Sequence, residues 1–136
     1  MEMLKKILIV DDNEIISATL EIVLADEGVV DCAANGRHAL VKIAETSYDV
    51  LIVDMDMPVM NGLEFYKDAV KIFPAIKERI IFFTGTCDEG CLSFFRENNL
   101  RYLAKPSRLK EIRDSVKEIL NNKQVQQAGL KCEARE

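Results

Sequence analysis

The sequence predicts an α/β domain built on a doubly wound, five-stranded parallel sheet. Two observations predict it: the short apolar runs of this 136-residue chain are continuous rather than alternating, and segments of helical periodicity separate them. Continuous apolar runs are typical of strands that helices cover on both faces, as in a parallel sheet. A β-α unit repeated five times therefore indicates an open sheet with helices on both sides.

Five strands are predicted, three of them from apolar runs rich in Ile, Val or Phe. These three runs lie at residues 7–10, 50–53 and 80–83. Residues 29–33 and 102–104 carry weaker strand patterns and supply the second and fifth strands in chain order.

The segments between the strands are predicted to be helical, because their apolar residues recur on one face. The three clearest stripes consist of Ile16, Leu20, Val23 and Leu24; of Leu63, Tyr66, Val70 and Phe73; and of Leu109, Ile112, Val116, Ile119 and Leu120. Segments 37–45 and 89–98 are shorter helical candidates. Gly28 is predicted to cap the first helix, Pro74 to close the third and Asn98-Asn99 to end the fourth.

The alternating pattern stops near Asn122, so residues 1–122 are predicted to form one domain. Residues 123–136 are polar and carry no strong apolar stripe. They are a frayed helix extension, a linker or a disordered tail. A segment this short cannot fold as a second domain.

Charge and composition exclude several classes of protein. The net charge of −5 argues against direct contact with nucleic acid or an anionic membrane, because such surfaces select basic proteins. No apolar run approaches the about 20 residues of a membrane helix, and the N-terminal run is too short for a signal peptide. The four cysteines (Cys32, Cys87, Cys91 and Cys132) lack the spacing of a disulfide framework. We therefore expect a cytoplasmic protein.

Chemically active side chains follow four of the five predicted strands. Asp11 and Asp12 follow the first, Asp54 the third, Thr84 the fourth and Lys105 the fifth. Ligands of open α/β sheets bind at this carboxyl edge. Each residue alone has a structural reading: Asp12 or Asn13 could cap the first helix, Thr84-Gly85 could be a turn and Lys105-Pro106 a solvated loop. Three gathered carboxylates, however, repel one another unless a cation is present, and Mg²⁺ binds carboxylate and phosphate oxygens together. The set predicts a site for a phosphoryl group, with one Asp free to attack phosphorus.

These residues, in this order and spacing, resemble the receiver domains of response regulators, the phosphoaccepting modules of two-component and phosphorelay signalling. The resemblance covers about residues 5–121 and is carried by four motifs: Asp11-Asp12, Val53-Asp54-Met55-Asp56-Met57-Pro58-Val59-Met60-Asn61-Gly62, Thr84-Gly85 and Lys105-Pro106. It implies a flavodoxin-like sheet of strand order 2-1-3-4-5 with five flanking helices.

The resemblance also implies a role for each acidic residue. Asp54 matches the phosphoacceptor. Asp12 matches the direct ligand of Mg²⁺ or Mn²⁺, whereas Asp11 acts mainly through metal-bound water. Asp54 and the backbone carbonyl of Asp56 complete the metal ligands that the protein supplies.

Lys105 and Thr84 match the residues that bind the phosphoryl group once it is on the acceptor. Tyr102 occupies the aromatic switch position, where the ring turns inward as Thr84 moves. The resemblance therefore implies a two-state surface over the fourth helix, fifth strand and fifth helix. Asp56 and Thr86 occupy the two variable positions that tune phosphoryl lifetime in the family.

The implied partners are a sensor histidine kinase or phosphotransfer protein and a downstream effector, with homodimerisation on activation. The chain is expected to be a signalling phosphoacceptor that promotes its own phosphorylation and dephosphorylation, and not an enzyme acting on other molecules. The sequence identifies neither the kinase nor the signal nor the output. It fits a stand-alone regulator or the receiver portion of a longer protein.

Two alternatives from other classes stay open. A degenerate receiver would act only through protein contacts, although the acidic pair, Asp54, Thr84 and Lys105 are all present. A phosphatase of the haloacid-dehalogenase type would use Asp54 as nucleophile and Asp56 as general acid. That family places its Asp-x-Asp motif after the first strand, whereas Asp11-Asp12 comes first here.

Overall fold

The computed structural model of the protein describes residues 4–85, 89–105 and 109–127, with side chains up to residue 121. Its five strands are β1 (Lys6–Val10), β2 (Val29–Ala33), β3 (Val50–Asp54), β4 (Ile80–Thr84) and β5 (Arg101–Ala104). They form one parallel sheet in the order β2-β1-β3-β4-β5. The predicted fold class and strand order are both confirmed.

Helices connect every pair of consecutive strands. They are α1 (Glu14–Leu24), α2 (Gly36–Glu45), α3 (Gly62–Ile72), α4 (Glu89–Glu97) and α5 (Leu109–Gln127), with a 3₁₀ helix at Pro74–Glu78. The backbone of α5 continues past Asn122 to Gln127. Residues 128–136 lie outside the described part of the chain, as does Thr86. No helix in that described part is long and apolar enough to cross a membrane.

The helix-ending residues were predicted with partial success. Pro74 opens the 3₁₀ helix directly after α3, and Asn99 adopts the left-handed conformation (φ 53°) that ends α4. The prediction for Gly28 was wrong, because Ala25 caps α1. Gly28 instead lies in the turn into β2, where a Cβ atom would come within 2.6 Å of the Lys5 carbonyl oxygen. Close backbone packing, rather than helix capping, requires glycine there.

Alternate residues of each central strand face opposite helical layers. One face packs against α2, α3 and α4, and its buried strand residues are Leu8, Val10, Leu51, Val53, Ile80 and Phe82. The other face packs against α1 and α5, and its buried strand residues are Ile7, Ile9, Val50, Ile52, Ile81 and Phe83. Because both faces are covered, the strands read as continuous apolar runs. The buried polar side chains lie at or directly after the ends of strands.

Candidate functional site

Among the described residues, the buried polar side chains are Asp11, Asp54 and Thr84, which are 5%, 3% and 1% exposed. All three lie at the carboxyl edge of the sheet, where β1, β3 and β4 end. Burying a carboxylate or a hydroxyl costs free energy unless the group is hydrogen-bonded, paired with a charge or bound to a metal. Their common location therefore identifies this edge as the candidate site that the sequence predicted.

Asp54 is the last residue of the central strand β3, and α3 begins unusually close to it. A Cβ atom at Gly62 would lie 2.5 Å from the Asp54 carbonyl oxygen and 2.9 Å from Met55 Cα. Only glycine permits that approach, because neither contact is with a flexible side chain. A capping box between Asn61 and Glu64 fixes where α3 begins. The start of α3 thus forms one wall beside Asp54.

Asp11 and Asp12 follow β1, and neither one caps α1. Asn13 is the cap: its Oδ1 accepts hydrogen bonds from the backbone N–H groups of Ile15 (2.9 Å) and Ile16 (3.2 Å). Asp11 is held by the Asn13 N–H, which donates to its Oδ1 at 2.9 Å. Asp12 is exposed. The helix-cap reading of the acidic pair is therefore excluded, and both carboxylates remain available to the site.

Lys105 directly follows β5 and reaches across the sheet edge. Its Nζ donates to Asp54 Oδ1 at 3.0 Å and lies 3.8 Å from Asp11 Oδ2. Its backbone N–H donates to the Thr84 carbonyl at 2.7 Å, which extends the β4–β5 ladder by one residue. The Nζ also lies 5.2 Å from the centroid of the Phe83 ring. The pairing of β5 with β4 thus places the Lys105 ammonium beside the two carboxylates.

Asp56 and Thr84 also lie near the carboxylate of Asp54 in the fold. The backbone N–H of Asp56 donates to Asp54 Oδ1 at 3.2 Å, so this oxygen accepts from both Lys105 and the loop after β3. Thr84 ends β4, one residue beyond Phe83, which pairs with Asp54 across the sheet. Two donors on one oxygen fix the orientation of the carboxylate.

Tyr102 lies in β5, three residues before Lys105, and its ring contacts α4. Its ring stacks on Phe95 of α4, with 4.8 Å between centroids and 21° between planes, and the residue is 36% exposed. Phe95 stacks in turn on Phe82 at 5.0 Å. The predicted switch residue therefore contacts α4 through a continuous aromatic stack.

The carboxylate oxygens of Asp11, Asp12 and Asp54 suit a hard divalent cation. One oxygen from each lies within 4.8 Å of the others, and this is the only such group of potential metal ligands in the part of the chain that the structure describes. Burial chiefly raises the pKa of Asp11, and the charges of Asp54 and Asp12 raise it further. The Asn13 N–H and Lys105 act in the opposite direction. A cation here would relieve that repulsion, so the donor set fits Mg²⁺ or Mn²⁺.

Sequence reasoning found the charged groups but missed two residues that position them. Gly62 ends the Asp54 motif that carries the resemblance, but its close approach to the Asp54 carbonyl oxygen was not predicted. Phe83 was assigned only to a strand, and its contact with Lys105 depends on side-chain direction.

Comparison with known proteins agrees with this geometry. The fold and site define an open, doubly wound α/β domain with a buried aspartate, an acidic pair and a lysine at the carboxyl edge of its sheet. The family described as the response regulator receiver domain matches residues 7–117. The chain belongs to that family.

Three curated relatives differ in how much of their length this chain covers. The sporulation initiation phosphotransferase F of Bacillus subtilis is 37% identical over 121 residues, covering 85% of this chain and 94% of that protein. The transcriptional regulatory protein CrdR of Helicobacter pylori is 31% identical, with 88% of this chain and 57% of the relative covered. A receiver protein of Anaeromyxobacter is matched over 47% of its length. The chain thus spans about half the length of several relatives.

Solved structures agree with the fold. A CheY-like receiver domain protein of Methanospirillum hungatei has a TM-score of 0.82 at 29% identity, over 91% of this chain and 99% of that one. The chemotaxis protein CheY4 of Vibrio cholerae has a TM-score of 0.76 at 28% identity, over 86% and 99% of the two chains.

Proposed function

We propose that this protein accepts a phosphoryl group on Asp54 and uses the modified site to change the surface it offers to a partner. The observation that carries the proposal is the contact of Lys105 Nζ with Asp54 Oδ1 at 3.0 Å beside the carboxylate of Asp11. A buried aspartate paired with one lysine, within reach of two further carboxylates, suits phosphoryl transfer better than structural pairing.

The groups at the carboxyl edge of the sheet can carry out the transfer. A carboxylate oxygen of Asp54 attacks the phosphorus of a phosphohistidine, the P–N bond breaks, and the freed imidazole takes a proton from solvent. The residues that would hold Mg²⁺ or Mn²⁺ are Asp12, Asp54 and the Asp56 carbonyl, with Asp11 acting through water. The cation supplies positive charge to the phosphoryl oxygens when bound. Lys105, whose Nζ lies 3.0 Å from Asp54 Oδ1, supplies a second positive charge.

Switching would follow from the added charge on Asp54. A phosphoryl group brings additional negative charge and strong acceptor oxygens. We propose that Lys105 and the Thr84 hydroxyl bind those oxygens, and that Tyr102 then turns inward. Because Tyr102 stacks on Phe95, a turn of its ring breaks a contact with α4. The surface formed by α4, β5 and α5 would change in consequence.

A groove beside the acceptor suggests where the phosphodonor binds. The groove has a volume of about 240 Å³ and lies between α1, β4 and α5. Its lining residues are Ile15, Ile16, Thr19, Leu20, Phe83, Lys105, Leu109 and Ile112. Ile15 is 77% exposed, so it presents an apolar surface at the rim of this apolar groove. We propose that a helix of a histidine kinase or phosphotransfer protein packs here, because the donor histidine must reach Asp54 over this rim.

The output of the protein extends the proposal to its partners. Matched relatives include a sporulation phosphotransferase, a transcriptional regulator and protein-glutamate methylesterases. Receiver domains of this family therefore occur in proteins with different outputs. For this chain we propose residues 1–122 as the receiver, residues 123–136 as a tail or linker, and an effector protein or domain as the target. Homodimerisation through α4, β5 and α5 on activation is part of the same proposal.

The test is phosphorylation by a small donor. With acetyl phosphate and Mg²⁺, intact mass spectrometry should show one added phosphoryl group, and Asp54→Ala should abolish it. Asp68→Asn is a matched control that changes a carboxylate outside the site. A degenerate receiver would show no added mass, and a phosphatase would turn over a phosphomonoester steadily. Either result would exclude the proposal.

A further inference from the structure

We propose that Phe83 is a positioning residue for phosphoryl transfer, because the face of its ring holds the Lys105 ammonium at the edge of the acidic cluster. The inference rests on the proposed function and adds to it a residue outside the charged set. The relevant geometry is the 5.2 Å separation between Lys105 Nζ and the Phe83 ring centroid. Cations are attracted to an aromatic face within about 6 Å of its centroid.

The position of Phe83 in β4 fixes this contact. Phe83 pairs with Asp54 of β3 on one side and with Leu103 of β5 on the other. It therefore lies between the strand that ends in Asp54 and the strand that Lys105 follows. Its ring packs on the α1 and α5 side of the sheet and is 6% exposed. The surrounding core holds the ring in place, so it gives Lys105 a fixed surface.

The contacts of Lys105 differ in kind. Asp54 Oδ1 and Asp11 Oδ2 attract the ammonium from one side, at 3.0 Å and 3.8 Å. The ring of Phe83 attracts it without offering a hydrogen-bond acceptor. When Asp54 carries a phosphoryl group, the ammonium must move from a carboxylate oxygen to a phosphoryl oxygen. A ring face permits that movement, because its attraction does not depend on one directional bond.

The same ring limits where else the lysine can go. Lys105 is 23% exposed and borders the groove next to α1 and α5. A flexible lysine side chain loses considerable freedom when it is ordered. With an aliphatic residue at position 83, the ammonium would lose its attraction to that side of the site and sample solvent more often. Phosphoryl transfer would slow although every charged group remained.

Nuclear magnetic resonance tests the contact without any phosphorylation. The Lys105 Hε protons, assigned with Lys105→Arg, should be shifted upfield by the ring current of Phe83. Phe83→Leu should remove the shift, and Phe83→Tyr should retain it. Phe82→Leu is the matched control, because Phe82 is the adjacent β4 residue and faces the opposite core cluster. Lys105 Hε protons at their ordinary position in the wild-type protein would overturn the inference, whether or not any variant folds.

Kinetics test the consequence. With acetyl phosphate and Mg²⁺, Phe83→Leu should be phosphorylated about three- to tenfold more slowly than the wild-type protein, and Phe83→Tyr should recover most of that loss. Phe73→Leu, which removes a ring 4.8 Å from the Arg79 guanidinium outside the site, should stay near the wild-type rate. A wild-type rate for a folded Phe83→Leu protein would overturn the inference and leave the proposed function intact. Absence of phosphorylation in the wild-type protein would instead refute the proposed function, and the ring-current shift would still report on the contact.

Discussion

Lys105 Nζ and Asp54 Oδ1 lie 3.0 Å apart although the two residues are 51 positions apart in the sequence. The pairing exists because β3 and β5 flank β4 in a parallel sheet, so that their carboxyl ends meet at one edge. The bond satisfies a buried carboxylate and at the same time places a cation where a phosphoryl group would develop negative charge. One contact therefore serves both the resting protein and the proposed chemistry.

Replacing Lys105 should separate transfer from switching. We expect Lys105→Ala to slow phosphorylation by acetyl phosphate about tenfold, which corresponds to about 1.4 kcal/mol of lost stabilisation. The phosphorylated variant should also fail to change the environment of Tyr102, because no ammonium draws the phosphoryl group toward β5. The rate of phosphorylation is measured by following the intact mass of the protein over time. Lys110→Ala is the control, since that lysine pairs with Asp114 at 2.9 Å on the exposed face of α5. Equal slowing in the control would contradict the role of Lys105.

The raised pKa of Asp11 predicts a stability that depends on pH. Because burial favours the neutral form, ionised Asp11 destabilises the fold at neutral pH, and protonation relieves this as the pH falls through the folded-state pKa. Asp11→Asn should therefore raise Tm by a few degrees at pH 7 without divalent cations. The gain should vanish below the ordinary Asp pKa of 3.8, where both states are protonated.

Thermal unfolding across pH checks this, with the exposed Asp114→Asn as control. Added Mg²⁺ should raise Tm of the wild-type protein, because a ligand that binds only the folded state stabilises it. Asp12→Asn should remove most of that gain. A gain from Asp11→Asn that persisted at low pH would contradict the electrostatic explanation.

Gly62 should be intolerant of any side chain. Gly62→Ala places a methyl group 2.5 Å from the Asp54 carbonyl oxygen, so α3 must move away from the site. We expect the free energy of unfolding to fall by about 1–3 kcal/mol and phosphorylation to slow. Gly85→Ala is the matched control, because its nearest new contact is Lys105 Cδ at 3.9 Å. Chemical denaturation measures the free energy of unfolding of both variants. Similar losses in Gly62→Ala and Gly85→Ala would refute the steric argument.

Phosphorylation should change the environment of Tyr102. The chain has three tyrosines and no tryptophan, so fluorotyrosine labelling gives few signals, and Tyr102→Phe assigns one of them. With Mg²⁺ and acetyl phosphate, the ¹⁹F signal of Tyr102 should move as the ring leaves Phe95. Thr84→Ala should accept the phosphoryl group yet leave that signal in place. A signal that moves equally in Thr84→Ala would show that the ring is not coupled to the hydroxyl.

The sequence predicted most of the fold because local patterns determine it. Continuous apolar runs specify strands covered on both faces, and Asp11, Asp54 and Lys105 could be assigned to one edge as soon as the strands were assigned. The role of Gly28 was predicted wrongly because the need for glycine there comes from the Lys5 carbonyl, which lies 23 residues earlier in the sequence, directly before β1. The contacts of Gly62 and Phe83 were out of reach for the same reason: both depend on how two elements pack in three dimensions.

The most direct test of the proposed acceptor is chemical trapping of the modified residue. Borohydride reduces an acyl phosphate of aspartate to homoserine, and peptide mass spectrometry then locates the change. After treatment with acetyl phosphate and Mg²⁺, we predict homoserine at position 54 and unchanged aspartate at positions 11, 12 and 56. Homoserine at any of those other positions, or intact Asp54 in protein that carries the added mass, would contradict the account.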